Sequence, residues 1–576
     1  MHRRILAFDF DGTLAEKGIV PPDLGIALER LRSSGCVLFL VTGRQFESVS
    51  LGSLQDLFTG IVWENGAVLY DPAIRETYLP FGCIDPRLVE ALDAADVPIE
   101  QGRAIVSTWV EHNETVWRVI SEWGGDAAVI YNKGAVMILP AGAAKGPGLE
   151  RLLGICGFSP RNLVGFGDGE NDLSLLTLGE FGVAMADAVP SLKAIADLVT
   201  ARPGPAGVLE VLDTYWLDGR RPDIPLRREH QIPLGQNENK VPISLPGAVL
   251  AGNNVGVFGD SSSGKSWVAG LLAEGMHQAG YQILLIDPEG DFRGMHLLSE
   301  FVAFDGTHRT LPTPAVVARV LEEASVSVVL DLCSYPVSLR GQYVAELLHT
   351  LRSLKERKFR PHWIVLEEAQ HFLSPTANDS NTVLTALLPM LAGGGWTFVS
   401  YRPDQLAEPV LAALDRCLLT RLSAPETIQA LRQKFNFSEE SLAHIPRGHV
   451  WLCGEHMVRL LPNARRVPHI RHLYKYLDSP LPEHKRFHFR DRQGYLDLQA
   501  ASLFEFLQLL PDLPAESLAY HMARGDFAAW IEGALGDAEL AAHLRKLAHR
   551  SLESELLRRA LLQRVSAHYA ELHARG

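Results

Sequence analysis

The stretch Ile5-Leu6-Ala7-Phe8-Asp9-Phe10-Asp11-Gly12-Thr13 decides the fold of the first part of the chain. A short apolar run leads directly into a carboxylate, which is typical of a buried parallel strand that presents its carboxyl end to a ligand. Binding sites of open α/β sheets collect at that edge. The sequence therefore predicts an α/β domain with Asp9 and Asp11 at the carboxyl edge of its sheet.

Further segments bring reactive side chains to the same predicted edge. Two apolar runs, Val37–Val41 and Leu163–Phe166, end like the first one in polar residues, and a lysine precedes a helical pattern. Phosphoryl transfer needs a carboxylate nucleophile, a second acid for the leaving oxygen, a divalent cation and positive charge on the transferring group. A magnesium-dependent phosphatase is therefore predicted, and its candidate residues are Asp9, Asp11, Thr42, Lys145, Asp168 and Asp172.

Over residues 1–203 these motifs resemble the haloacid dehalogenase superfamily of phosphohydrolases, in particular its Cof-like branch, and Trp63-Glu64-Asn65-Gly66-Ala67 adds to the resemblance. The resemblance implies a Rossmann-like domain with an inserted α+β cap at about residues 80–140, which selects a small phosphorylated substrate. Asp187 departs from the family, which more often has Asn at this position.

The same resemblance implies a role for each candidate residue. Asp9 is the nucleophile that becomes an aspartyl phosphate, and Asp11 is the general acid and base. Thr42 and Lys145 hold the phosphoryl group. The implied magnesium ligands are Asp9, Asp11, Asp168 and Asp172.

Residues 204–230 are polar and rich in turn formers, so they are predicted to be a linker. The strand-like run Val255–Phe258 follows, and the loop Gly259-Asp260-Ser261-Ser262-Ser263-Gly264-Lys265-Ser266 then leads into a helical pattern. In this context backbone N–H groups surround the phosphates of ATP, the lysine reaches the β and γ oxygens, and the last serine binds Mg²⁺. The predicted ATP-binding residues are Gly259, Ser262, Ser263, Gly264, Lys265 and Ser266.

A second acidic strand end lies about 100 residues further on, where Trp363–Leu366 precedes Glu367 and Glu368. An ATPase of this type needs such residues to hold magnesium and to polarise water. Glu368 is the candidate that activates water, and Glu367 is the candidate magnesium ligand, although most families have Asp there. Three more strand-like runs end at Asp287, Asp331 and Ser400, which is the order of a RecA-like core.

Residues 231–465 resemble the HerA/FtsK class of ATPases, on the loop and on the Glu-Glu-Ala-Gln-His segment that begins at Glu367. The resemblance implies a homo-oligomer, commonly a hexamer, that translocates double-stranded DNA and uses an arginine from a neighbouring subunit. Arg402 and Arg421 are the candidates for that arginine. Tyr401 departs from the family, where many members have a polar sensor such as Gln. A basic cluster between Arg352 and Arg360 faces either DNA or solvent.

The remaining sequence is less specific. Residues 470–576 are predicted to form a small helical domain for protein contact or assembly. The net charge of -14 argues against a protein coated with basic residues, and six scattered cysteines without a CxxC pair make structural zinc or disulfides unfavourable. The sequence has no apolar stretch of membrane-spanning length, so we expect a cytoplasmic protein without a membrane partner.

Three functions stay open from the sequence. The leading hypothesis joins a Mg²⁺-dependent phosphatase to an ATP-hydrolysing domain of HerA/FtsK type. The second is an enzyme that processes nucleic-acid ends, with a kinase and a phosphatase in one chain. In the third, ATP binding only sets assembly or gates the phosphatase.

Overall fold

In the computed structural model the chain forms two α/β parts and a smaller C-terminal part, each with its own hydrophobic core. None of the helices that the structure describes is long and apolar enough to cross a lipid bilayer. The described residues are 4–46, 48, 51–132, 134–217, 230–260, 263–305, 311–333, 335–375, 378–435, 445–446, 448–454, 457–467, 477, 481, 485–550 and 553–575.

The first part is built on an eight-stranded sheet with the strand order β12-β11-β10-β1-β2-β3-β4-β5. The strands in the middle of this sheet are fully buried because apolar side chains cover both of their faces. Its strands are β1 Ile5–Asp9, β2 Val37–Val41, β3 Gly60–Trp63, β4 Val68–Asp71, β5 Glu76–Tyr78, β10 Leu163–Gly167, β11 Phe181–Ala184 and β12 Leu198–Val199. Its helices are α1 Pro22–Ser33, α4 Lys145–Ile155, α5 Leu173–Leu178, α6 Pro190–Ile195 and α7 Gly204–Leu212.

A cap is inserted between β5 and α4, as the sequence predicts. It is a four-stranded sheet with the order β6-β7-β9-β8 and two helices, and it has a small core of its own. Alternate residues of its long strands point to opposite sides, so that Ala128, Ile130 and Met137 pack against the core of the first part. The cap elements are α2 Pro86–Ala94, β6 Glu100–Gln101, β7 Val106–Trp109, α3 Asn113–Trp123, β8 Ala127–Asn132 and β9 Ala135–Pro140.

Helix α7 corrects the predicted linker, which starts at residue 204. Val208, Val211 and Leu212 of this helix are buried in the core of the first part. Their spacing is that of one helical face, and the prolines that suggested a turn stand at the start of the helix, where proline is well tolerated. Residues 204–212 therefore belong to the first part.

The second part has an eleven-stranded sheet with the order β14-β13-β23-β22-β21-β15-β20-β19-β16-β18-β17. The strands from β21 to β17 are parallel, and hydrophobic clusters cover both faces. The strands are β13 Gln231–Gln236, β14 Pro242–Pro246, β15 Asn254–Phe258, β16 Ile283–Asp287, β17 Phe301–Asp305, β18 Ser327–Asp331, β19 Trp363–Leu366, β20 Trp396–Ser400, β21 Arg416–Leu419, β22 Val450–Cys453 and β23 Met457–Pro462. The helices are α8 Gly247–Gly252, α9 Lys265–Gln278, α10 Pro314–Leu321, α11 Val337–Lys358, α12 Gln370–Leu373, α13 Asn378–Leu391, α14 Glu408–Ala412 and α15 Pro425–Phe435.

The C-terminal part is mainly helical, as predicted, but it also contains an antiparallel hairpin. Aromatic rings of the hairpin and of the first helices form its centre, with Phe487 and Phe489 against Phe506 and Phe527. Its elements are β24 Phe487–Arg490, β25 Tyr495–Ala500, α16 Leu503–Leu509, α17 Ala515–Arg524, α18 Asp526–Trp530, α19 Ala538–Ala548 and α20 Ser554–Arg575.

The first two parts meet at the end of α11. Arg360 is fully buried there and donates hydrogen bonds to the carbonyls of Gly157 and Glu322, both at 2.8 Å. Lys358 donates to the Cys156 carbonyl and lies over the ring of Phe158. Two residues of the predicted basic cluster therefore hold the parts together.

Candidate active sites

The first candidate site lies at the carboxyl edge of the eight-stranded sheet. Asp9 ends β1, and β1 pairs in parallel with β2 on one side and with β10 on the other. This register brings Thr42, which follows β2, and Asp168, which follows β10, to either side of Asp9. All three residues are buried.

Lys145 joins the carboxylates of this site. Its ammonium group lies 2.6 Å from Oδ1 of Asp9 and 2.6 Å from Oδ1 of Asp172. The second oxygen of Asp172 accepts hydrogen bonds from the backbone N–H groups of Asp168 (3.0 Å) and Gly169 (2.9 Å). The lysine and the loop thus fix the positions of both aspartates.

Asp9, Asp168 and Asp172 offer carboxylate oxygens within 4.8 Å of one another. Burial, with the charge of Asp172 next, raises the pKa of Asp9 to about 8. Three buried carboxylates beside one ammonium leave an excess of negative charge, which a divalent cation would neutralise. The donor set is all oxygen, so it fits Mg²⁺.

Asp11 lies apart from this cluster. Its two carboxylate oxygens accept hydrogen bonds from Nε and Nη2 of Arg44, both at 2.7 Å. The prediction that the Asp11 side chain is a metal ligand is therefore not supported, because both of its oxygens face the guanidinium group. These two hydrogen bonds also place Arg44 in the first candidate site, a position that was not predicted from the sequence.

Gly12 shows how tightly the loop after β1 fits. Its φ is +86°, and a Cβ atom at this position would lie 2.2 Å from Oδ2 of Asp168. Only glycine meets both conditions without strain. Gly12 therefore lets the loop approach the cluster of Asp9, Asp168 and Asp172.

The second candidate site lies at the carboxyl edge of the eleven-stranded sheet. Gly264 has a φ of +106° and caps α9, whose first residues are Lys265 and Ser266. The ammonium group of Lys265 donates to the carbonyl of Asp260 at 3.1 Å, and the hydroxyl of Ser263 donates to the same carbonyl at 2.6 Å. Gly259, another predicted residue of the loop, packs against Thr420, and a Cβ atom at this glycine would lie 1.8 Å from the Thr420 hydroxyl oxygen. The predicted residue Ser262 lies outside the described residues.

Glu367 faces Ser266 across this site. Oε1 of Glu367 accepts a 2.6 Å hydrogen bond from the hydroxyl of Ser266. Oε2 is buried and has no hydrogen-bond partner among the described residues. Burial, with the neighbouring Glu368 next, raises the pKa of Glu367 well above its ordinary value. A buried oxygen that lacks a partner, beside a hydroxyl, fits a divalent cation.

Glu368 is held by a chain of polar side chains. It has a φ of 48°, which is uncommon for a residue other than glycine, and its Oε2 accepts a 2.5 Å hydrogen bond from Nε2 of Gln370. Oε1 of Gln370 accepts in turn from the hydroxyl of Ser400, at the end of β20. No role was predicted for Gln370 or Ser400 from the sequence. Gln370 belongs to the Glu-Glu-Ala-Gln-His segment, and Ser400 ends one of the strand-like runs.

Tyr401 and the two candidate arginines lie near the same edge. The ring of Tyr401 is 5.8 Å from the ammonium of Lys265, so this residue borders the second candidate site. Arg402 pairs with Asp404 at 2.8 Å. Nε of Arg421 lies 3.6 Å from Oδ2 of Asp260, which belongs to the loop 259–266, and the Arg421 side chain is mostly exposed.

A cleft of about 270 Å³ adjoins the loop and α9. Trp267 and Val268 border it on the helix side, and His449 and Pro462 border it on the other. Its size and aromatic lining suit a purine base, because bases stack on aromatic side chains.

Comparisons with known proteins match both α/β parts of the chain. A family model for haloacid dehalogenase-like hydrolases matches residues 6–80 and 109–212, and one described as the central domain of helicase HerA matches residues 232–392. Phosphoglycolate phosphatase 2 of Saccharolobus solfataricus is 30% identical over 217 residues, which are 36% of this chain and 91% of that protein.

A further relative and a solved structure each cover a similar share of the chain. The 5-amino-6-(5-phospho-D-ribitylamino)uracil phosphatase YitU of Bacillus subtilis is 26% identical over 263 residues, with 37% of this chain and 97% of that protein covered. The crystal structure of a haloacid dehalogenase-like hydrolase from Bacteroides thetaiotaomicron covers 36% of this chain and 98% of its own, at 21% identity and a TM-score of 0.33.

Proposed function

The N-terminal part of this chain belongs to the haloacid dehalogenase-like hydrolases, and on that premise we propose that it is a magnesium-dependent phosphomonoesterase. The observation that carries the proposal is the cluster of Asp9, Asp168 and Asp172 around Lys145 at the ends of adjacent strands. A small phosphorylated acid such as 2-phosphoglycolate is the proposed substrate, because a relative that shares 30% identity is a phosphoglycolate phosphatase.

The proposed reaction gives each of these residues the role that the family resemblance implies. A carboxylate oxygen of Asp9 attacks the phosphorus atom and forms an aspartyl phosphate, while Asp11 protonates the leaving oxygen. Asp11 then takes a proton from the water that hydrolyses this intermediate, and for both proton transfers its carboxyl turns away from Arg44, to which both of its oxygens are bonded in this structure. Thr42 and Lys145 hold the phosphoryl oxygens. A magnesium ion held by Asp9, Asp168 and Asp172 would neutralise charge on the transferring group.

The phosphatase proposal is tested with purified full-length protein and 2-phosphoglycolate. We expect phosphate release that needs Mg²⁺ and stops when EDTA is added. Asp9→Asn removes the nucleophile, so kcat should fall on the order of a thousandfold or more. Phosphate release by Asp9→Asn at the wild-type rate would exclude the proposed mechanism.

The middle part carries the central domain of a HerA-type helicase, and we propose that it hydrolyses ATP and moves along double-stranded DNA as an oligomer. Ser266 and Glu367 are the proposed magnesium ligands, and Glu368 is the proposed residue that activates water. Lys265 contacts the β and γ phosphates. The contact between Ser266 and Glu367 supports a metal site of the kind that ATP hydrolysis requires.

The second proposal is tested by steady-state ATP hydrolysis with and without double-stranded DNA, with Lys265→Ala as the blank. Stimulation by DNA supports translocation, and hydrolysis that does not respond to DNA argues against it. The two alternatives give different results. Transfer of labelled γ-phosphate to a DNA 5′ end indicates a kinase. Binding of ATP without hydrolysis in the wild type favours a domain in which ATP only gates, whereas hydrolysis in the wild type that disappears in Glu368→Gln excludes it.

A further inference from the structure

Three consecutive residues after β3 have a left-handed backbone. The φ values are 52° for Glu64, 51° for Asn65 and 100° for Gly66. For Glu64 and Asn65 this conformation is unfavourable, and it persists only where the surroundings hold it in place. The surroundings of Glu64 are therefore informative.

The Glu64 side chain is fully buried, and its carboxylate accepts four backbone hydrogen bonds. Oε1 accepts from the N–H groups of Phe46 (3.2 Å) and Arg103 (2.8 Å). Oε2 accepts from the N–H groups of Ala104 (2.8 Å) and Ile105 (3.2 Å). Three of the four donors belong to one turn of the cap, between β6 and β7.

This turn is one of the parts of the cap that contact the core of the first part, together with Ala128, Ile130 and Met137. Ala104 and Ile105 are buried in the core of the first part, whereas the cap has a separate core. A hydrogen bond from Gly102 to Ile105 closes the turn, and a Cβ at Gly102 would lie 2.9 Å from the Glu64 carboxylate. The turn thus fits closely around Glu64.

The segment that binds the cap also supports the catalytic residues. The N–H group of Glu64 donates to the carbonyl of Arg44, and the N–H group of Asn65 donates to the carbonyl of Thr42. Oδ1 of Asn65 accepts a 2.9 Å hydrogen bond from Asn171, in the loop that carries Asp168 and Asp172. A shift of Glu64 and Asn65 would therefore move both the cap and the loops of the first candidate site.

We propose that Glu64 is a positioning residue that holds the cap closed over Asp9 and Asp11 by binding the turn 102–105. The closed cap limits the size of the phosphomonoester that enters, so Glu64 sets the preference for small substrates. This inference rests on the proposed phosphatase function. It concerns the position of the cap, and it assigns Glu64 no contact with the reacting atoms.

The test uses Glu64→Gln in the full-length protein, because glutamine keeps the side-chain length and replaces one acceptor oxygen with an NH₂ donor. That NH₂ would face N–H groups of the turn or of Phe46. Glu100→Gln is the matched control, since Glu100 is an exposed glutamate on β6 of the same hairpin. Gly102→Ala disturbs the same contact from the cap side.

Two readouts separate the cap hypothesis from the phosphatase proposal. Hydrogen exchange of the amides of 103–105 should be at least tenfold faster in Glu64→Gln and in Gly102→Ala, and unchanged in Glu100→Gln. For Glu64→Gln, kcat/KM for 2-phosphoglycolate should fall at least tenfold through KM, while kcat/KM for the bulkier p-nitrophenyl phosphate falls less than threefold.

Either of two results would overturn the inference. One is wild-type exchange of amides 103–105 in a Glu64→Gln protein that retains the wild-type circular dichroism spectrum. The other is an equal loss of kcat/KM for both substrates. Absence of phosphate release from wild-type protein would instead refute the proposed function, and the exchange measurement would still test the contact with the cap.

Discussion

Replacing Arg360 tests whether this residue is structural, as its contacts indicate, or a DNA contact, as its place in a basic segment suggests. Its guanidinium group is fully buried and donates to the carbonyls of Gly157, Leu321 and Glu322 and to the side-chain oxygen of Gln282, all at 2.8 or 2.9 Å. In Arg360→Met, the Leu321 carbonyl keeps another donor, Nε2 of the Gln282 side chain. The other three acceptors lose the donor that Arg360 supplies.

The cost of this substitution can be worked out from those three acceptors. An unsatisfied buried acceptor costs about 1–3 kcal/mol. Gln282 is buried, whereas Gly157 and Glu322 lie nearer the surface, where water replaces part of the lost interaction. We therefore expect a total of about 3 kcal/mol, which corresponds to roughly a 100-fold change in an opening equilibrium.

Hydrogen exchange measures this local opening without the assumption of two-state unfolding. The amides of His362 and Trp363 both donate to the carbonyl of Gln282, so they report on the segment that Arg360 holds. Their exchange should accelerate about 100-fold in Arg360→Met. Arg357→Met is the control, because Arg357 is exposed and a change of less than about 0.5 kcal/mol is expected there. Exchange within threefold of wild type in Arg360→Met would refute the reasoning.

Three further predictions concern the ATP site and the C-terminal part. Gln370→Leu removes the donor to Glu368, so kcat for ATP hydrolysis should fall about 10- to 100-fold with little change in KM, as steady-state assays would detect. Trp267→Ala should raise the KM for ATP about tenfold, because a stacked base loses about 1–3 kcal/mol, while the KM for tripolyphosphate should not change. Burial is the main cause that lowers the pKa of His521 below its ordinary value of 6.5. The unfolded chain therefore takes up a proton at higher pH than the folded one, and thermal melting should show that the C-terminal part loses stability as pH falls below about 6.5. A melting temperature that is constant from pH 8 to pH 5 would contradict this last expectation.

The strand ends were predictable from the sequence because they depend on local pattern and on a general rule for parallel sheets. A short apolar run that leads into a carboxylate identifies both the strand and the edge where its ligand binds. The rule predicts Asp9, Asp168 and Glu367 at the edges of sheets, and each of them ends or follows a strand of the structure. The structure also brings Asp9 into contact with Lys145, which lies on a helix 136 positions away in sequence.

Contacts between distant side chains were not predictable in the same way. Glu64 accepts hydrogen bonds from residues about 40 positions later, and only the placement of the cap brings them together. Arg44 and Asp11 are 33 positions apart, and their contact depends on the register of β1 and β2. For helix α7 a usable signal was present, because Val208, Val211 and Leu212 follow helical spacing after a proline at the first turn.

The contact between the two catalytic parts leaves both sites accessible because of where it lies on the strands. Asn162 immediately precedes β10, and its side-chain amide donates to the carbonyl of Phe359 and contacts the ring of His362, which immediately precedes β19. The interface therefore lies at the amino ends of β10 and β19. Asp168 and Glu367 stand at the carboxyl ends of the same strands, one strand length of about 16 Å away. Because ligands bind at the carboxyl edges, the two parts can be joined firmly while each site faces away from the contact.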